Sequence, residues 1–408
     1  MKVRKISNFF YAQNSIIIKF LPSLIILYNI GKREDVDNFM KIGSVTEAKT
    51  YENRVGLTPL HAQKYVEAGH EVYVEKGLGI KSGFGDKLYR EAGATVLETA
   101  KEVWDIAEMI IKVKEIIPSE FDLMRDNQII FTYLHLAANK DLTQALIDKN
   151  VKAFAYETVT GDDGSLVLLS PMSEIAGKLA VLEGAKYLES HYGGKGVLLS
   201  GTRLVKPANV VIVGIGSVGY SALTDAYNLG ANVTALVHSE KKRDALLEEF
   251  NGEVNAKVNS EEVLREALKD ADLIISSVLL PGGKAEQLIR REHLDIIEDG
   301  SVIVDVAIDQ GGSTEMSRVT THEDPIFIEN GVIHYCVANM GGAVPKTGSR
   351  ALGNATIPYG LEIANKGLEQ AAKDDEGLKK GINVYLGDVV NKEVANELGY
   401  EYKELKFD

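Results

Sequence analysis

The chain has 408 residues, 45% hydrophobic and 25% charged, which is typical of a globular protein long enough for two domains or more. Its net charge of −14 argues against a nucleic-acid or anionic-membrane partner. The single cysteine, Cys336, excludes an intramolecular disulfide framework, and we expect it to be a buried thiol in a cytoplasmic protein.

Residues 1–39 differ in composition from everything that follows. A basic start, MKVRK, precedes an apolar run at 15–30, which is superficially typical of a signal peptide or an anchor. Lys19 and Pro22 interrupt the run, it is shorter than the ~20 residues that span a bilayer, and no small-residue cleavage site follows. We therefore expect an N-terminal extension of unknown role that neither crosses a membrane nor is cleaved.

From residue 40 to about 169, strand-like and helix-like segments alternate, as a parallel sheet with crossover helices requires. Thr58 is expected to cap a helix that begins at Pro59 and continues to about Ala68. The strands are predicted at 41–45, 71–75, 109–113, 129–133 and 153–157.

Three polar residues follow predicted strands of this sheet: Arg54, Lys114 and His135. Each has a simpler interpretation, namely a solvated ion pair, an edge-strand charge pattern and a structural histidine. Ligands of open parallel sheets bind at the carboxyl ends of the strands. Two cations and an imidazole at such ends therefore predict a pocket for a small carboxylate substrate.

A helical pattern from about residue 170 leads to a dinucleotide-binding unit. The strand at 210–213 meets Gly214-x-Gly216-x-x-Gly219, followed by a helix and by a second strand that ends at Val237. Gly214 permits the turn, Gly216 lets a pyrophosphate approach the backbone, and Gly219 lets helix and strand pack closely. The alternative is a glycine-rich turn without a ligand.

The acidic residue expected at the end of the second strand, where it would bind the ribose hydroxyls, is replaced by Val237. The following residues, HSEKKR, supply a hydroxyl and cations suited to a 2′-phosphate. We therefore favour NADP over NAD as the cofactor. The alternative is that this basic run is only the solvated start of a helix.

Beyond this unit, Asp309 follows a predicted strand and precedes Gly311 and Gly312, which makes it a candidate catalytic carboxylate or, alternatively, a loop N-cap. No internal repeat and no metal-ligand cluster is evident, and no metal is expected. Further helices are predicted at 241–250, 261–269 and 349–366, and further strands at 272–280, 302–306 and 332–337.

The ordered motifs over residues 40 to about 367 resemble the alanine dehydrogenase branch of the alanine dehydrogenase and transhydrogenase alpha-subunit family. The motifs are ENRVGLTP, KVKE, FTYLHLAA, AYETV, PMSEIAG, GxGxxG, VIVDVAIDQGG, HYCVANM and NATIPY. The resemblance implies an α/β fold with two Rossmann-like domains, parallel sheets and a cleft between them. Segments 40–169 and 345–408 would form the substrate domain and 170–344 the dinucleotide domain, in a homo-oligomer that is usually a hexamer.

The resemblance also implies roles for residues. Arg54 and Lys114 would bind the substrate carboxylate and the carbonyl or imine oxygen, His135 would be the general acid and base, and Asp309 would position water and ammonia. Tyr133 and Asn339 would line the pocket. The cofactor would contact Ser173, Gly214, Gly216, Ser217, Val218, Gly219, Val237, His238, Ser239, Lys242, Leu279, Asp309, Asn339 and Met340.

Two further departures from the family leave the substrate open. GTRL at 201–204 stands where the family usually has a glycine- and proline-rich loop, and Gly341 stands where it usually has proline. The default function is a dehydrogenase that interconverts L-alanine with pyruvate and ammonia. The nearest alternative is a dehydrogenase whose substrate is a different or larger amino acid.

Other functions remain open: a soluble transhydrogenase component, a non-catalytic dinucleotide sensor, and a relative with another imine-forming reaction. The complete His135 and Asp309 motifs, and the lack of a membrane-span pattern after Gly367, argue against the transhydrogenase. Retention of Arg54 and Lys114 beside them argues against the sensor.

Overall fold

The computed structural model describes residues 39–278 and 286–407, so the N-terminal extension before Phe39, and Leu279, lie outside the described residues. The strands are β1 (Lys41–Ser44), β2 (Glu71–Glu75), β3 (Thr95–Leu97), β4 (Met109–Ile111), β5 (Ile129–Thr132), β6 (Lys152–Ala155), β7 (Asn209–Val213), β8 (Asn232–Val237), β9 (Asn255–Val258), β10 (Leu273–Ser276), β11 (Val302–Asp305), β12 (Ile326–Glu329), β13 (Val332–Tyr335), β14 (Ile382–Tyr385) and β15 (Asp388–Val389). The helices are α1 (Pro59–Glu67), α2 (Asp86–Glu91), α3 (Ala100–Ile106), α4 (Lys140–Asp148), α5 (Ser170–Tyr187), α6 (Ser217–Asn228), α7 (Glu240–Glu249), α8 (Glu261–Lys269), α9 (Pro345–Lys366), α10 (Leu368–Asp374), α11 (Glu376–Lys379) and α12 (Lys392–Leu398).

These strands form two mostly parallel sheets, which confirms the predicted α/β fold. The first has the order β15-β14-β6-β5-β4-β1-β2-β3 and the second the order β12-β13-β11-β10-β7-β8-β9. Pairing is parallel except where β14, β15 and β12 join the edges. The strand order reverses between β1 and β4 and again between β7 and β10, and such switch points are where ligands bind in open sheets.

Both sheets are covered on both faces, as parallel sheets usually are. In β10 and β11, at the centre of the second sheet, every residue is buried, and their alternate side chains enter two separate apolar clusters. The first sheet is packed in the same way between two other clusters. This double burial explains why the central strands are continuous apolar runs.

Two long helices connect the parts of the chain that form the two sheets. Helix α5 packs on α6 so closely that a Cβ at Gly177 would overlap the carbonyl of Val218. Helix α9 packs on α1 in the same way, because a Cβ at Gly353 would overlap the His61 ring. Among the described residues, no helix is long and apolar enough to cross a membrane.

Several predicted element bounds differ from the structure. Helix α5 ends at Tyr187, and a separate 3-10 turn follows at Ser190–Tyr192. Helix α9 begins at Pro345, before the predicted start, because proline is well suited to the first turn. Strand β10 ends at Ser276, earlier than predicted. The proposed domain boundaries stay predictions.

The unpredicted strands are short, and several are half exposed. β3, β9 and β12 contain exposed or half-buried residues, so they lack the continuous apolar run of a central strand. Cys336, by contrast, is fully buried as predicted, and burial raises the pKa of its thiol to about 12.

Candidate active site

Arg54, which follows β1, is held in a buried ion pair with Glu52. Its Nε and Nη2 donate to Glu52 Oε1 and Oε2 at 2.7 and 2.5 Å, and the side chains are 4% and 0% exposed. Burial alone would raise the pKa of Glu52, but the hydrogen bond and charge of Arg54 lower it to about 2. The interpretation as a solvated pair was therefore wrong.

Asn339 brings the second sheet to this pair. It follows β13, in the left-handed conformation at φ 57°. Its Oδ1 accepts from Arg54 Nη2 at 2.7 Å, and its Nδ2 donates to Glu52 Oε2 at 3.0 Å. Arg54 Nη1 in turn lies 3.0 Å from Met172 Sδ on α5. Two predicted site residues from different sheets are thus in direct contact.

Lys114 follows β4, and buried charges fix its backbone. Glu47 accepts from the Val113 and Lys114 N–H groups at 2.6 and 3.2 Å. Lys112 Nζ lies 3.3 Å from Glu47 and 2.8 Å from Glu120, all three buried. Since β4 lies between β1 and β5, the edge-strand interpretation of KVKE was wrong.

The Lys114 ammonium differs from Arg54 because it forms no ion pair within the described part of the chain. Burial lowers its pKa, and the positive charge of Arg54 lowers it further, while Asp309 acts in the opposite direction. Since Glu52 already neutralises Arg54, Lys114 is the cation whose charge is available to an anionic ligand.

His135 follows β5 and adopts the left-handed conformation at φ 49°, which is uncommon for residues other than glycine. Glu157 holds this turn, because its Oε1 accepts from the His135 N–H at 2.6 Å. The ring lies nearly parallel to Tyr133, with centroids 6.0 Å apart, and is exposed. Tyr133 itself is buried, and its hydroxyl donates to the Leu168 carbonyl.

Asp309 lies in a 3-10 turn, Ile308–Gln310, just beyond β11. Its carboxylate is exposed, and its Oδ2 accepts weakly from the Asn339 N–H at 3.4 Å. Its charge raises the pKa of Lys114, so these two charges, from different sheets, are close enough to interact electrostatically. Arg54, Lys114, Asp309 and Asn339 therefore form one cluster.

The sequence interpretation missed three carboxylates that hold candidate site residues: Glu52 holds Arg54, Glu47 holds Lys114 and Glu157 holds His135. Glu52 and Glu157 stand inside motifs that were already singled out, YENR and AYETV. A carboxylate two residues before a candidate arginine was the available signal.

The glycine turn after β7 has the shape that a dinucleotide requires. Gly214 has φ 87°, and a Cβ at Gly219 would overlap the Gly214 carbonyl. Among the described residues, a Cβ at Gly216 would meet nothing within 4 Å, so they leave the space beside it open. Helix α6 begins at Ser217, an exposed residue, and its first N–H groups are suited to a pyrophosphate. The residues present fit the cofactor.

The region that would select the cofactor is divided between core and surface. Val237 is 2% exposed and packs in the core, whereas His238 is exposed. Ser239 caps α7 by accepting from the Lys242 N–H at 3.4 Å, and Lys242 Nζ lies 5.8 Å from the centre of the Tyr220 ring. The remaining expected cofactor residues comprise half-buried Val218 and Ser173 and buried Met340.

One cluster in the described residues has the spacing of a metal site: Glu261, Glu292 and His293. His293 Nδ1 accepts from the Arg290 N–H at 3.1 Å, so Nε2 carries the hydrogen and donates to Glu261 at 2.9 Å. The neutral ring then has no lone pair for a metal.

Comparison with known proteins identifies the family. Residues 43–176 match the alanine dehydrogenase/PNT N-terminal domain, and residues 180–392 match the corresponding C-terminal domain. The chain is 50% identical over 357 residues to an alanine dehydrogenase of Methanococcus maripaludis, covering 87% of this chain and 96% of that protein. An alanine dehydrogenase of Staphylococcus haemolyticus is 46% identical over 368 residues, covering 90% and 98%.

A solved L-alanine dehydrogenase matches with a TM-score of 0.85 and 44% identity, over 88% of this chain and 99% of that one. A Sinorhizobium meliloti transhydrogenase matches with a TM-score of 0.75 and 24% identity, over 86% and 100%, and so shares the fold. The chain therefore belongs to the alanine dehydrogenase/PNT family, in which alanine dehydrogenases are oxidoreductases that act on CH–NH2 groups with a nicotinamide dinucleotide.

Proposed function

We propose that the chain catalyses the reversible oxidative deamination of L-alanine to pyruvate and ammonia. The observation that carries this proposal is the Lys114 ammonium, which forms no ion pair among the described residues and interacts electrostatically with the ion-paired Arg54 and with Asp309. A small carboxylate substrate supplies the missing negative charge, and relatives about half identical are alanine dehydrogenases.

In this proposal Lys114 neutralises the substrate carboxylate. Within the described residues, Arg54 has one Nη1 N–H left to donate, because Nε and Nη2 are used by Glu52 and Asn339 and the other Nη1 N–H by Met172 Sδ. These contacts fix the substrate Cα, which is catalysis by positioning. The bound nicotinamide supplies the hydride acceptor.

His135 takes a proton from the water that adds to the imine carbon and returns it to the departing nitrogen. An imidazole can both accept and donate a proton at neutral pH, which contributes on the order of 10²- to 10⁴-fold. Asp309 accepts hydrogen bonds from the water and the ammonia. Its exposed carboxylate beside Asn339 supports this role.

The test is a substrate scan with the full chain. L-amino acids with oxidised cofactor, and keto acids with ammonium and reduced cofactor, are followed by the absorbance of the reduced nicotinamide. We expect alanine and pyruvate to give the highest kcat/KM. If a larger amino acid gave the highest kcat/KM, it would replace alanine as the assigned substrate. No turnover with any pair would favour a dinucleotide sensor.

NADP remains the proposed preference over NAD. Val237 supplies no carboxylate, and exposed His238 and Lys241 follow it. We expect NADPH to bind more tightly than NADH. We also expect His238→Ala and Lys241→Ala to weaken the binding of NADPH more than the binding of NADH. Tighter binding of NADH by the wild type would reverse the assignment. The homo-oligomeric state and the cytoplasmic location stay predictions.

A further inference from the structure

Asp305, the last residue of β11, is a fully buried carboxylate that forms no ion pair within the described part of the chain. Its Oδ1 accepts from the Ala307 N–H at 3.0 Å and from Ser313 Oγ at 2.8 Å. Its Oδ2 accepts from the Ser313 N–H at 2.8 Å and from the Ser317 hydroxyl. A buried carboxylate is costly unless hydrogen bonds satisfy it, and here a single loop supplies them.

That loop carries Asp309. Its two ends, at Ala307 and Ser313, are both fastened to the Asp305 carboxylate, so the turn between them is closed around it. Gly311 and Gly312, at φ 94° and 84°, make the closure feasible, and a Cβ at Gly312 would lie 2.9 Å from Asp305 Oδ2. The orientation of Asp309 therefore depends on a carboxylate that it does not touch.

The same carboxylate is linked to the glycine turn. Ser313 Oγ lies 2.7 Å from Ser276 Oγ at the end of β10. The next residue, Ser277, donates from its hydroxyl to the Gly214 carbonyl at 2.8 Å. The switch point where the dinucleotide is expected and the loop that carries Asp309 are thus connected through the end of one strand.

We propose that Asp305 is a positioning residue, which holds the Asp309 loop in register with the glycine turn. The proposal rests on the proposed function, in which Asp309 orients water and ammonia. Loss of the Asp305 charge then disturbs the step that involves ammonia more than it disturbs the binding of pyruvate or of the cofactor.

The test compares Asp305→Asn with Asp272→Asn. Asp272 is a matched control, because it is also a mostly buried carboxylate of the second sheet, bound at the opposite end of β10 by Lys195 and by the Asn209 N–H, each at 2.8 Å. Both variants are assayed well below their melting temperatures. We expect Asp305→Asn to lower kcat about 100-fold and to raise the KM for ammonium. The KM for pyruvate and the Kd for NADH should stay within about threefold of wild type.

Ser313→Ala keeps the carboxylate and removes the link to Ser276, so it tests the idea even if Asp305→Asn does not fold; we expect about a tenfold loss of kcat. An unchanged kcat and ammonium KM in a folded Asp305→Asn, or changes equal to those of Asp272→Asn, would overturn the positioning role alone. If only Ser313→Ala folds, an unchanged kcat would do the same. A wild type without turnover would overturn the proposed function as well.

Discussion

Each of the two sheets has one edge at its switch point where a ligand is expected, and these two edges are built in opposite ways. At the edge of the first sheet, charged side chains are buried and already paired, as in Glu52 with Arg54 and Glu47 with Lys112. At the edge of the second sheet, the decisive residues are glycines, and Gly216 has open space beside it. The first edge uses fixed charge, and the second uses the absence of side chains.

The difference indicates where each edge is vulnerable. A charge-based site tolerates changes of charge poorly, because removing one partner leaves the other buried and unpaired. A backbone-based site tolerates changes of charge but no added volume. Substitutions at the two edges test this contrast, beginning with the largest expected effect, and one substitution away from both edges follows them.

His135→Ala removes the exposed imidazole at the charged edge. We expect turnover to fall on the order of 10³-fold, because no other group takes over the proton transfer. The Kd for NADH, measured by fluorescence, should stay within about twofold of wild type, since the cofactor is expected to bind at the other edge. His191→Ala, at another exposed histidine, is the control. Retained activity in His135→Ala would remove this residue from the mechanism.

Glu52→Gln keeps the shape of the buried pair and removes its charge. The pKa of Glu52 is about 2, below its ordinary value, so the pair stabilises the fold above about pH 4.5, and this contribution is lost as pH falls toward 2. At pH 7 we expect the free energy of unfolding to drop by about 3 kcal/mol and the KM for pyruvate to rise.

Asp105→Asn is the matched control, since it removes a carboxylate from the exposed Lys101–Asp105 pair. It should change the free energy of unfolding by less than about 0.5 kcal/mol. Equal urea denaturation midpoints for wild type and Glu52→Gln would mean that the fixed charge at this edge does not stabilise the fold.

Gly219→Ala adds one methyl group at the backbone edge, where it would overlap the Gly214 carbonyl. We expect a loss of about 3 kcal/mol in stability and weaker NADH binding, because α6 must move away from the turn. Gly216→Ala should weaken NADH binding without a loss of stability, and Gly85→Ala, with equally open space, should change neither. Normal NADH binding by Gly216→Ala would show that the cofactor does not approach this backbone.

His334→Phe tests a buried histidine away from both edges. Neither ring nitrogen has a hydrogen-bond partner among the described residues. Burial, followed by the charges of Arg318 and Arg291, lowers the pKa of His334 to about 4. Because the unfolded ring titrates near 6.5, His334 reduces stability as pH falls from 7 toward 4. Between pH 7 and pH 5 the variant should lose about 2 kcal/mol less than wild type. Parallel stability–pH curves from thermal melts would contradict this.

The fold and the main site residues could be predicted from the sequence because their signals are local. A glycine spacing after an apolar strand, and a polar residue where such a strand ends, need no knowledge of distant contacts. Gly214, Arg54 and Lys114 were found in this way, and the structure places Arg54, Lys114, Asp309 and Asn339 together.

The supporting contacts could not be predicted because they join distant parts of the chain. Asn339 meets Glu52 across 287 positions of the sequence, and Glu47 meets Val113 across 66. Periodicity does not report such pairs. The partial burial of β3 and β9 likewise concealed two strands that only sheet pairing reveals.

Helix α9 limits how this protein can evolve. Gly353 and Gly360 lie seven positions apart, and even a methyl group at either would overlap His61 or the Tyr65 hydroxyl on α1. Near the start of the helix, a Cβ at Gly348 would lie 2.7 Å from Arg54 Cδ. Substitutions along α9 should therefore be tolerated only at its exposed positions. Replacing one of its packed glycines by a larger residue would need a simultaneous change to a smaller residue on α1. Sequence drift in this helix is restrained by its packing on α1 at one end and by its contact with the buried Arg54 at the other.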